Sequence, residues 1–593
     1  MSVPSSPAAA GQGDVQAAFA ATLVDEWVRA GVTHAVVCPG SRSTPLALAV
    51  AAEPRLQVHV RLDERSAAFT ALGIGMADGV PAVVVVTSGT AAAELHAAVV
   101  EADLARVPML VCTADRPPEL RDVGAPQTID QAALFGTSVR WYADPGVPDA
   151  AGRPAWRSLG SRSVAEAVSG PGGPGPVHLN LPFREPLLGD AVAGGVPEGR
   201  PMGAPWHEVT AGPVAPDAGT VEQLVASGFV TGGHGLVVAG AGCGDPDAVR
   251  RLADALAWPV LADPRSGLRD REGPLVVAHA DGILRAPGFA ARHRPDRVLV
   301  LGERWASKVV TSFLADAPRV VVDPHGGWPD PERSADRLVR ADPTLLCRAL
   351  ADAVAVPGGG YLDRPTPWAE EWQRAEGRAA AAVRDAVGST DGWTEPVLAH
   401  RLVRALPAHG RLVVSSSMPV RDVEAFGGQR GGPPRVFANR GANGIDGVVS
   451  TALGVALAVG PTVALVGDLA FLHDVSALVA PAGQEAPLAV VVADNGGGGI
   501  FSFLPPATRL PADTFESLFG TPMAPDVAEV ARGFGWAVEV LEGPGTVQEL
   551  EGALERAVDR GGRTVVVVRL PDRAANVAAH EQLHAAVVAA VDG

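Results

Sequence analysis

Two polar positions that follow apolar runs are suited to hold a divalent cation and a diphosphate. Gly467 ends the run VALVG and Asp468 comes directly after it, and Asn495 follows the run LAVVVAD, with the glycines Gly496 to Gly499 after Asn495. Carboxylate, amide and carbonyl oxygens are the ligands of hard cations that keep phosphate oxygens in their shell. Glycines let the backbone approach such a group where a Cβ would collide. We therefore predict a metal and diphosphate site, although Gly-Asp alone is more typical of a strand end followed by a helix cap.

The two apolar runs are predicted to be neighbouring parallel strands. Both are short, rich in β-branched residues and bounded by glycine or acid, and AFLHDVSALVA between them has the pattern of a helix. Such a strand–helix–strand unit opens both strand ends into one crevice, where open α/β sheets bind ligands. The separation of Asp468 and Asn495, 495 − 468 = 27 positions, fits this unit and favours the metal site.

The composition of the 593-residue chain excludes several classes of protein. Its formal charge, 48 − 66 = −18, argues against nonspecific binding to nucleic acid or to an anionic membrane. The four cysteines lie far apart, so neither a zinc site nor a disulfide framework is indicated. No uninterrupted apolar run reaches about 18 residues, and the first residues lack the features of a signal peptide. We expect a cytoplasmic protein with no membrane insertion.

Strand and helix patterns alternate along the chain and predict an α/β fold of three doubly wound domains with parallel sheets. We expect a disordered tail at 1–14 and domains at 15–190, 207–355 and 366–593. Pro/Gly-rich stretches at 189–216 and 357–367 are the predicted linkers. In the central domain, GAGCG at 240–244 leaves a nucleotide-binding dehydrogenase or a noncatalytic Rossmann-type protein open. Its spacing fails GxGxxG, which favours a simple turn.

The segment from Gly467 to Asn495 resembles the motif of thiamine-diphosphate enzymes, and the three α/β domains resemble their architecture. Leu469 replaces the motif's usual third glycine, Gly496 replaces its second asparagine, and Gly499 also departs from the family pattern. The resemblance implies thiamine diphosphate with Mg²⁺ or Mn²⁺. It implies a metal held by Asp468, Asn495 and the Gly497 carbonyl, diphosphate contacts from the amides of Leu469 and Ala470, and a cofactor pocket that includes Ser417, Ile445, Ile500 and Phe501.

Glu64 is the last residue of the predicted buried strand VHVRLDE and precedes small residues. Read alone, it is more typical of a solvated acid at a helix N-terminus, paired with Arg65. The family resemblance instead implies the acid that activates the cofactor through its aminopyrimidine ring. That role needs a water-poor site, where burial raises a carboxyl pKa.

Further segments resemble one branch of the family, the 2-succinyl-5-enolpyruvyl-6-hydroxy-3-cyclohexene-1-carboxylate (SEPHCHC) synthases of menaquinone biosynthesis. They are CPGSRSTPL (38–46), TADRPPELRDVGAPQTIDQ (113–131), SSSMPVRD (415–422), ANRGANGIDG (438–447) and, more weakly, RWASK (304–308). The implied substrate-binding set is Ser41, Arg42, Arg116, Gln127, Lys308, Arg421 and Arg440, with Arg42, Gln127 and Arg440 catalytic beside Glu64. An arginine in a polar loop is more often solvated or paired, as Arg116 with Asp115 or Arg421 with Asp422 could be.

The resemblance implies a transferase that decarboxylates 2-oxoglutarate and adds the remaining unit to isochorismate by 1,4-addition. These substrates bring four carboxylates, and guanidinium groups suit them in a net-acidic protein. The resemblance also implies a homodimer or homotetramer, because the activating glutamate and the diphosphate site of one active centre come from different protomers in this family. Another thiamine-diphosphate decarboxylase or carboligase, such as an enzyme like acetohydroxyacid synthase, remains the alternative.

Overall fold

The computed structural model describes residues 10–210, 212–230, 233–269, 273–303, 305–355, 366–432, 434–484 and 486–593. Contacts divide the chain into two compact units. Unit 1 consists of the segments Met1–Ala211, Asn439–Thr462 and His473–Leu488. Unit 2 consists of Gly212–Ala438, Val463–Leu472 and Ala489–Gly593. Residues 1–9 of the predicted tail and 357–365 of the predicted second linker lie outside the described residues.

The first sheet lies in unit 1. Its strands are β1 (His34–Val37), β2 (Gln57–Val60), β3 (Ala82–Val86), β4 (Met109–Asp115), β5 (Trp141–Ala143) and β6 (Pro176–Pro182). Its helices are α1 (Gln12–Arg29), α2 (Thr44–Ala52), α3 (Glu64–Asp78), α4 (Thr90–Ala93), α5 (His96–Leu104), α6 (Arg153–Ser169) and α7 (Ala191–Gly194). Among the described residues the strand order is β2-β1-β3-β4-β6-β5, and the pairs are parallel.

Strand β3 shows why these runs are continuously apolar. Val83 and Val85 belong to one buried cluster, which includes residues of α1 and α6, whereas Val84 and Val86 belong to another, which includes residues of α3 and α5. Both faces of the sheet are therefore covered by helices, as a parallel sheet with crossover connections requires.

The second sheet lies in unit 2. Its strands are β7 (Gly235–Ala239), β8 (Val260–Ala262), β9 (Val276–Val277), β10 (Arg297–Leu301), β11 (Arg319–Val322) and β12 (Arg337–Val339), in the order β12-β11-β10-β7-β8-β9. The helices are α8 (Ala218–Ala226), α9 (Pro246–Leu256), α10 (Ala280–Leu284), α11 (Pro287–Arg292), α12 (Lys308–Leu314) and α13 (Pro343–Val354). The GAGCG run forms the connection between β7 and α9.

The third sheet carries the predicted metal site. Its strands are β13 (Arg411–Val414), β14 (Arg435–Phe437), β15 (Thr462–Gly467), β16 (Leu488–Asp494), β17 (Ala537–Leu541) and β18 (Thr564–Arg569), in the order β14-β13-β15-β16-β18-β17. The helices are α14 (Pro367–Gly388), α15 (Glu395–Ala405), α16 (Met418–Phe426), α17 (Val448–Val459), α18 (Asp468–His473), α19 (Pro506–Arg509), α20 (Ala512–Phe515), α21 (Val527–Gly533), α22 (Val547–Asp559) and α23 (Arg573–Asp592). β15 and β16 are neighbours, as predicted.

Within unit 1, helices α3 and α17 cross at small residues. A Cβ at Gly73 would collide with the carbonyl oxygen of Thr451, and a Cβ at Gly454 would collide with that of Thr70. The two glycines therefore allow the helix backbones to approach closely. This crossing fixes the position of α3, whose first residue is Glu64.

The predicted fold class, three doubly wound parallel-sheet domains, is confirmed. Some boundaries differ from expectation. Helix α1 begins at Gln12, inside the predicted tail, and a Cβ at Gly189 or Gly194 in the predicted first linker would collide with the backbone near Asp14. That stretch therefore begins as a segment packed on α1. Among the described residues, we find no helix with both the length and the apolar composition needed to cross a membrane.

Candidate active site

The structure brings Asp468, Asn495 and Gly497 together in unit 2. Asp468 begins α18 directly after β15, and Asn495 follows the last residue of β16. The Asp468 carboxylate is buried and accepts the N–H of Gly497 at 2.7 Å and the N–H of Leu469 at 2.7 Å. The Leu469 amide, which we expected to face the diphosphate, therefore donates to Asp468 here.

The donor set of this site fits a hard cation. The side-chain oxygen Oδ1 of Asn495 is buried, and among the described residues no group donates a hydrogen bond to it. Its amide nitrogen Nδ2 donates to Oε1 of Glu395 at 2.5 Å. A carboxylate and an unpartnered amide oxygen at adjacent strand ends are ligands of the kind that Mg²⁺ or Mn²⁺ takes.

Burial raises the pKa of Asp468 to about 6, and the nearby negative charge of Asp494 adds to this effect, while the backbone amides of Leu469 and Gly497 oppose it. A cation must meet the ionised carboxylate. The affinity of the cation for this site should therefore rise as the pH increases through the pKa of Asp468.

The glycine run behind Asn495 is held from both sides. Gly497 has φ +136°, and a Cβ there would collide with the carbonyl oxygen of Gly520. The Arg573 guanidinium donates to the carbonyl of Gly496 and pairs with Glu516. The loop is therefore a fixed turn, in contrast to the flexible loop that a glycine run would otherwise suggest.

A cavity of 280 Å³ in unit 2 brings together Lys308, Arg421 and Ile500, all predicted site residues. Carboxylates in its lining have partners of their own: Asp281 pairs with Arg285 at 2.7 Å, and Asp422 pairs with His580 at 2.8 Å. These pairings offset the charges of two of the carboxyls in the lining, and burial raises the pKa of another, Glu424, to about 8. The cavity therefore offers Lys308 and Arg421 to an anionic group.

Backbone strain marks the entrance to α16. Ser417 has φ +74° and ψ −130°, which a residue with a Cβ rarely adopts. The Arg421 guanidinium donates to the Ser417 carbonyl. Because Asp422 pairs with His580, the local Arg421–Asp422 pair that we considered is not what the described residues form. Phe501 packs edge-on against Phe519, with ring centroids 5.4 Å apart.

In unit 1, Glu64 lines an open cavity of 740 Å³ together with Ser41 and Gln127, two further predicted residues. Glu64 begins α3, four residues after the end of β2, so it is an acid at a helix N-terminus and not the last residue of a strand. Burial raises the pKa of Glu64, with a smaller effect from the charge of Asp63. The Arg65 guanidinium donates to the His473 carbonyl at 2.8 Å instead of pairing with Glu64.

Two predicted arginines of unit 1 are tied to the backbone. Arg42 is buried, donates to the carbonyl of Phe183 at 2.9 Å and lies 3.3 Å from the Glu185 carboxylate. Arg116 donates to the carbonyl of Pro126 at 3.0 Å. Asp115 accepts the backbone N–H of Arg116 at 2.7 Å, but its ion pair is with Arg121 at 2.8 Å and not with the Arg116 guanidinium.

Arg440 and Ile445 lie in the connection between β14 and α17, in the part of the chain that belongs to unit 1. Both are half-buried. Nearby, the N–H groups of Gly441 and Ala442 donate to the Glu101 carboxylate, each at 2.7 Å. These bonds anchor the loop that carries both residues.

Comparisons with known proteins agree with this geometry. Residues 17–134 match the family model "Thiamine pyrophosphate enzyme, N-terminal TPP binding domain", 211–414 match "Middle domain of thiamine pyrophosphate", and 425–568 match "Thiamine pyrophosphate enzyme, C-terminal TPP binding domain". The SEPHCHC synthase of Myxococcus xanthus (strain DK1622) is 43% identical over 97% of both chains. Those of Chloroflexus aurantiacus (44% identical; 86% of this chain, 87% of that protein) and Geobacillus kaustophilus (42%; 96% and 97%) are also similar.

The chain belongs to the SEPHCHC synthase family. The predicted family and enzyme class are therefore confirmed, and two domain matches support thiamine diphosphate as the cofactor. The GAGCG run, which left a dehydrogenase open, falls inside the middle-domain match.

Sequence reasoning missed a buried polar cluster beside the unit 2 cavity of this SEPHCHC synthase family member. Ligand atoms of Glu395, Asp422 and His580 lie within 4.8 Å of one another. Burial and the charge of Asp422 raise the pKa of Glu395 to about 7. Burial alone would lower the pKa of His580, but the charge and hydrogen bond of Asp422 raise it. Local sequence patterns could not predict this cluster, because Glu395 is 100 positions from Asn495 and Asp422 is 158 positions from His580.

Proposed function

We propose that this chain decarboxylates 2-oxoglutarate and joins the remaining four-carbon unit to isochorismate by 1,4-addition, giving SEPHCHC and CO₂ for menaquinone biosynthesis. The observation that carries the proposal is the arrangement in unit 2. A cation-type donor set, Asp468 with Asn495, lies in the same unit as a cavity that presents Lys308 and Arg421.

In this proposal Asp468, Asn495 and the Gly497 carbonyl hold Mg²⁺ or Mn²⁺, which in turn holds the diphosphate. Ala470 is the remaining candidate for a diphosphate amide, because the Leu469 amide is directed at Asp468. Thiamine diphosphate, when bound, supplies a nucleophilic carbon and an electron sink for decarboxylation. The protein's own contribution is to place it, exclude water and hold protons.

Glu64 is the proposed proton-holding group. Its raised pKa favours a protonated carboxyl that can donate a hydrogen bond to a ring nitrogen. Ser41 and Gln127 line the same cavity and are proposed to contact substrate there. We place Arg42, Arg116 and Arg440 in this role on the family resemblance alone, and Ile445 beside the cofactor on the same ground.

Lys308 and Arg421 are the proposed carboxylate receptors of unit 2. An ammonium group and a guanidinium fork on one cavity can bind one carboxylate by charge and orient another by paired hydrogen bonds. Ile500 supplies an apolar wall to the same cavity. This combination suits a small dicarboxylic oxo acid better than a monocarboxylic one.

We further propose that two or four copies assemble, so that Glu64 of one protomer serves the metal site of another. The decisive test of the activity is mass spectrometry of the product formed from 2-oxoglutarate and isochorismate with thiamine diphosphate and Mg²⁺. SEPHCHC is the expected product. Turnover of pyruvate with no product from the two proposed substrates would instead assign the chain to another thiamine-diphosphate carboligase.

A further inference from the structure

We propose that Glu395 is a positioning residue that fixes the side-chain amide of Asn495, so that its oxygen and not its nitrogen faces the cation. This inference rests on the metal site of the proposed function. An amide can turn over, and its two orientations present opposite groups to a metal: the oxygen ligates a hard cation, whereas the –NH₂ group cannot.

The hydrogen bonds of the two residues select one orientation. Asn495 Nδ2 donates to Glu395 Oε1 at 2.5 Å, and Asn495 Oδ1 is buried with no donor to it among the described residues. A cation bound nearby favours the ionised form of Glu395, and an ionised carboxylate only accepts hydrogen bonds, so it attracts the amide nitrogen and repels the amide oxygen. The oxygen is thereby turned away from Glu395.

Glu395 is well placed to do this because it is itself fixed. It is the first residue of α15 and is only 5% exposed. Its backbone N–H donates to the side-chain oxygen of Asn576 at 3.3 Å. The carboxylate is therefore attached to a helix end that is held in place. An outer-shell partner can orient a metal ligand only if it is itself fixed in this way.

Gly499 provides an independent observation. A Cβ at this position would lie 2.5 Å from Asn495 Nδ2 and 3.4 Å from Glu395 Oε1. This glycine therefore leaves room for the contact between the two side chains. The departure of Gly499 from the family pattern is therefore explained by the contact between Asn495 and Glu395.

The test compares Mg²⁺ affinity in the full-length chain with saturating thiamine diphosphate, measured by calorimetry. Glu395→Ala removes the acceptor and should weaken Mg²⁺ binding about 10- to 100-fold, the usual cost of losing an outer-shell partner. Glu395→Gln keeps an oxygen acceptor but also carries an –NH₂ donor that can pair with the amide oxygen, so its Mg²⁺ affinity should lie between those of wild type and Glu395→Ala. Glu376→Ala is the matched control, because Glu376 is also a buried glutamate of unit 2 but accepts from His279. Equal Mg²⁺ affinities for Glu395→Ala and Glu376→Ala would overturn the inference.

A second comparison separates orientation from general structural support. In an Asn495→Asp background both side-chain oxygens can ligate, so orientation no longer matters and Glu395→Ala should cost nothing further. The same loss in both backgrounds would refute the positioning role. If wild type itself showed no Mg²⁺-dependent binding of thiamine diphosphate, the proposed metal site would fail, a result distinct from either outcome above.

Discussion

Replacing Asp474 by asparagine should remove a pH-dependent weakening of unit 1. Asp474 is fully buried and accepts the Ser450 N–H at 2.7 Å and the Ser450 hydroxyl at 3.0 Å, and that hydroxyl lies 2.8 Å from the hydroxyl of Ser66. The cluster ties α17 to the first turn of α3. It therefore supports the helix that begins with Glu64.

Burial raises the pKa of Asp474 from 3.8 to about 7, against the opposing hydrogen bonds of Ser450. Because the folded-state pKa lies above the unfolded value, the stabilisation is complete below the unfolded pKa and is lost as the pH rises through the folded one. The full difference corresponds to about 4 kcal/mol, of which about 2.5 kcal/mol falls between about pH 5 and 8. The side chain introduced by Asp474→Asn cannot ionise and retains an oxygen acceptor for the Ser450 amide.

Hydrogen exchange of peptides from α3 and α17, compared between wild type and Asp474→Asn at each pH, measures the opening free energy near this cluster. Unfolding of other domains does not enter this measurement. The free energy of wild type minus that of the variant should fall by about 2.5 kcal/mol from about pH 5 to 8. The fall should persist at high salt, because its cause is burial and not surface charge. A difference that stays constant across this range would refute the reasoning.

The remaining predictions concern the two halves of the proposed site. Gly497→Ala should abolish Mg²⁺-dependent cofactor binding, because its Cβ collides with the Gly520 carbonyl. In the control Gly496→Ala a Cβ meets nothing within 4 Å, so calorimetry should show a smaller loss of cofactor affinity. Equal losses of affinity in the two variants would contradict this prediction. Arg421→Ala should raise the KM for 2-oxoglutarate about 10- to 100-fold by losing a charge-assisted hydrogen bond, and an unchanged KM would remove Arg421 from the substrate site. Mixing inactive Glu64→Gln and Asp468→Ala proteins after dissociation should restore activity towards about a quarter of wild type if a two-fold dimer shares its sites, and no recovery despite proven subunit exchange would count against sharing.

The sequence was sufficient where a strand is central and apolar. The predicted run LAVVVAD is β16, Leu488–Asp494, without change at either end. Some edge strands were missed, because an edge strand is paired on one side only and needs no continuous apolar run; β2, Gln57–Val60, is an edge strand that was predicted. Examples of missed edge strands are β17, Ala537–Leu541, which is mostly half-buried, and β9, which has two residues. The same contrast holds for the candidate site. Asp468 and Asn495 could be predicted because they lie at the ends of central strands, whereas Glu395 was missed because only the tertiary fold brings it to Asn495.

The departures from the family motif fall at positions where the structure uses the backbone. Leu469 contributes its N–H to Asp468, which any residue other than proline can do. Gly496 has φ +76°, contributes its carbonyl to Arg573 and has open space around its missing side chain. The asparagine that the family pattern has there tolerates this left-handed conformation, so its replacement by glycine preserves the turn and removes only a side chain. Gly499 differs in kind, because a side chain there would press on the Asn495 amide. The cation-holding geometry therefore depends on what Asn495 contacts, and the site extends beyond its ligands to the residue that orients one of them.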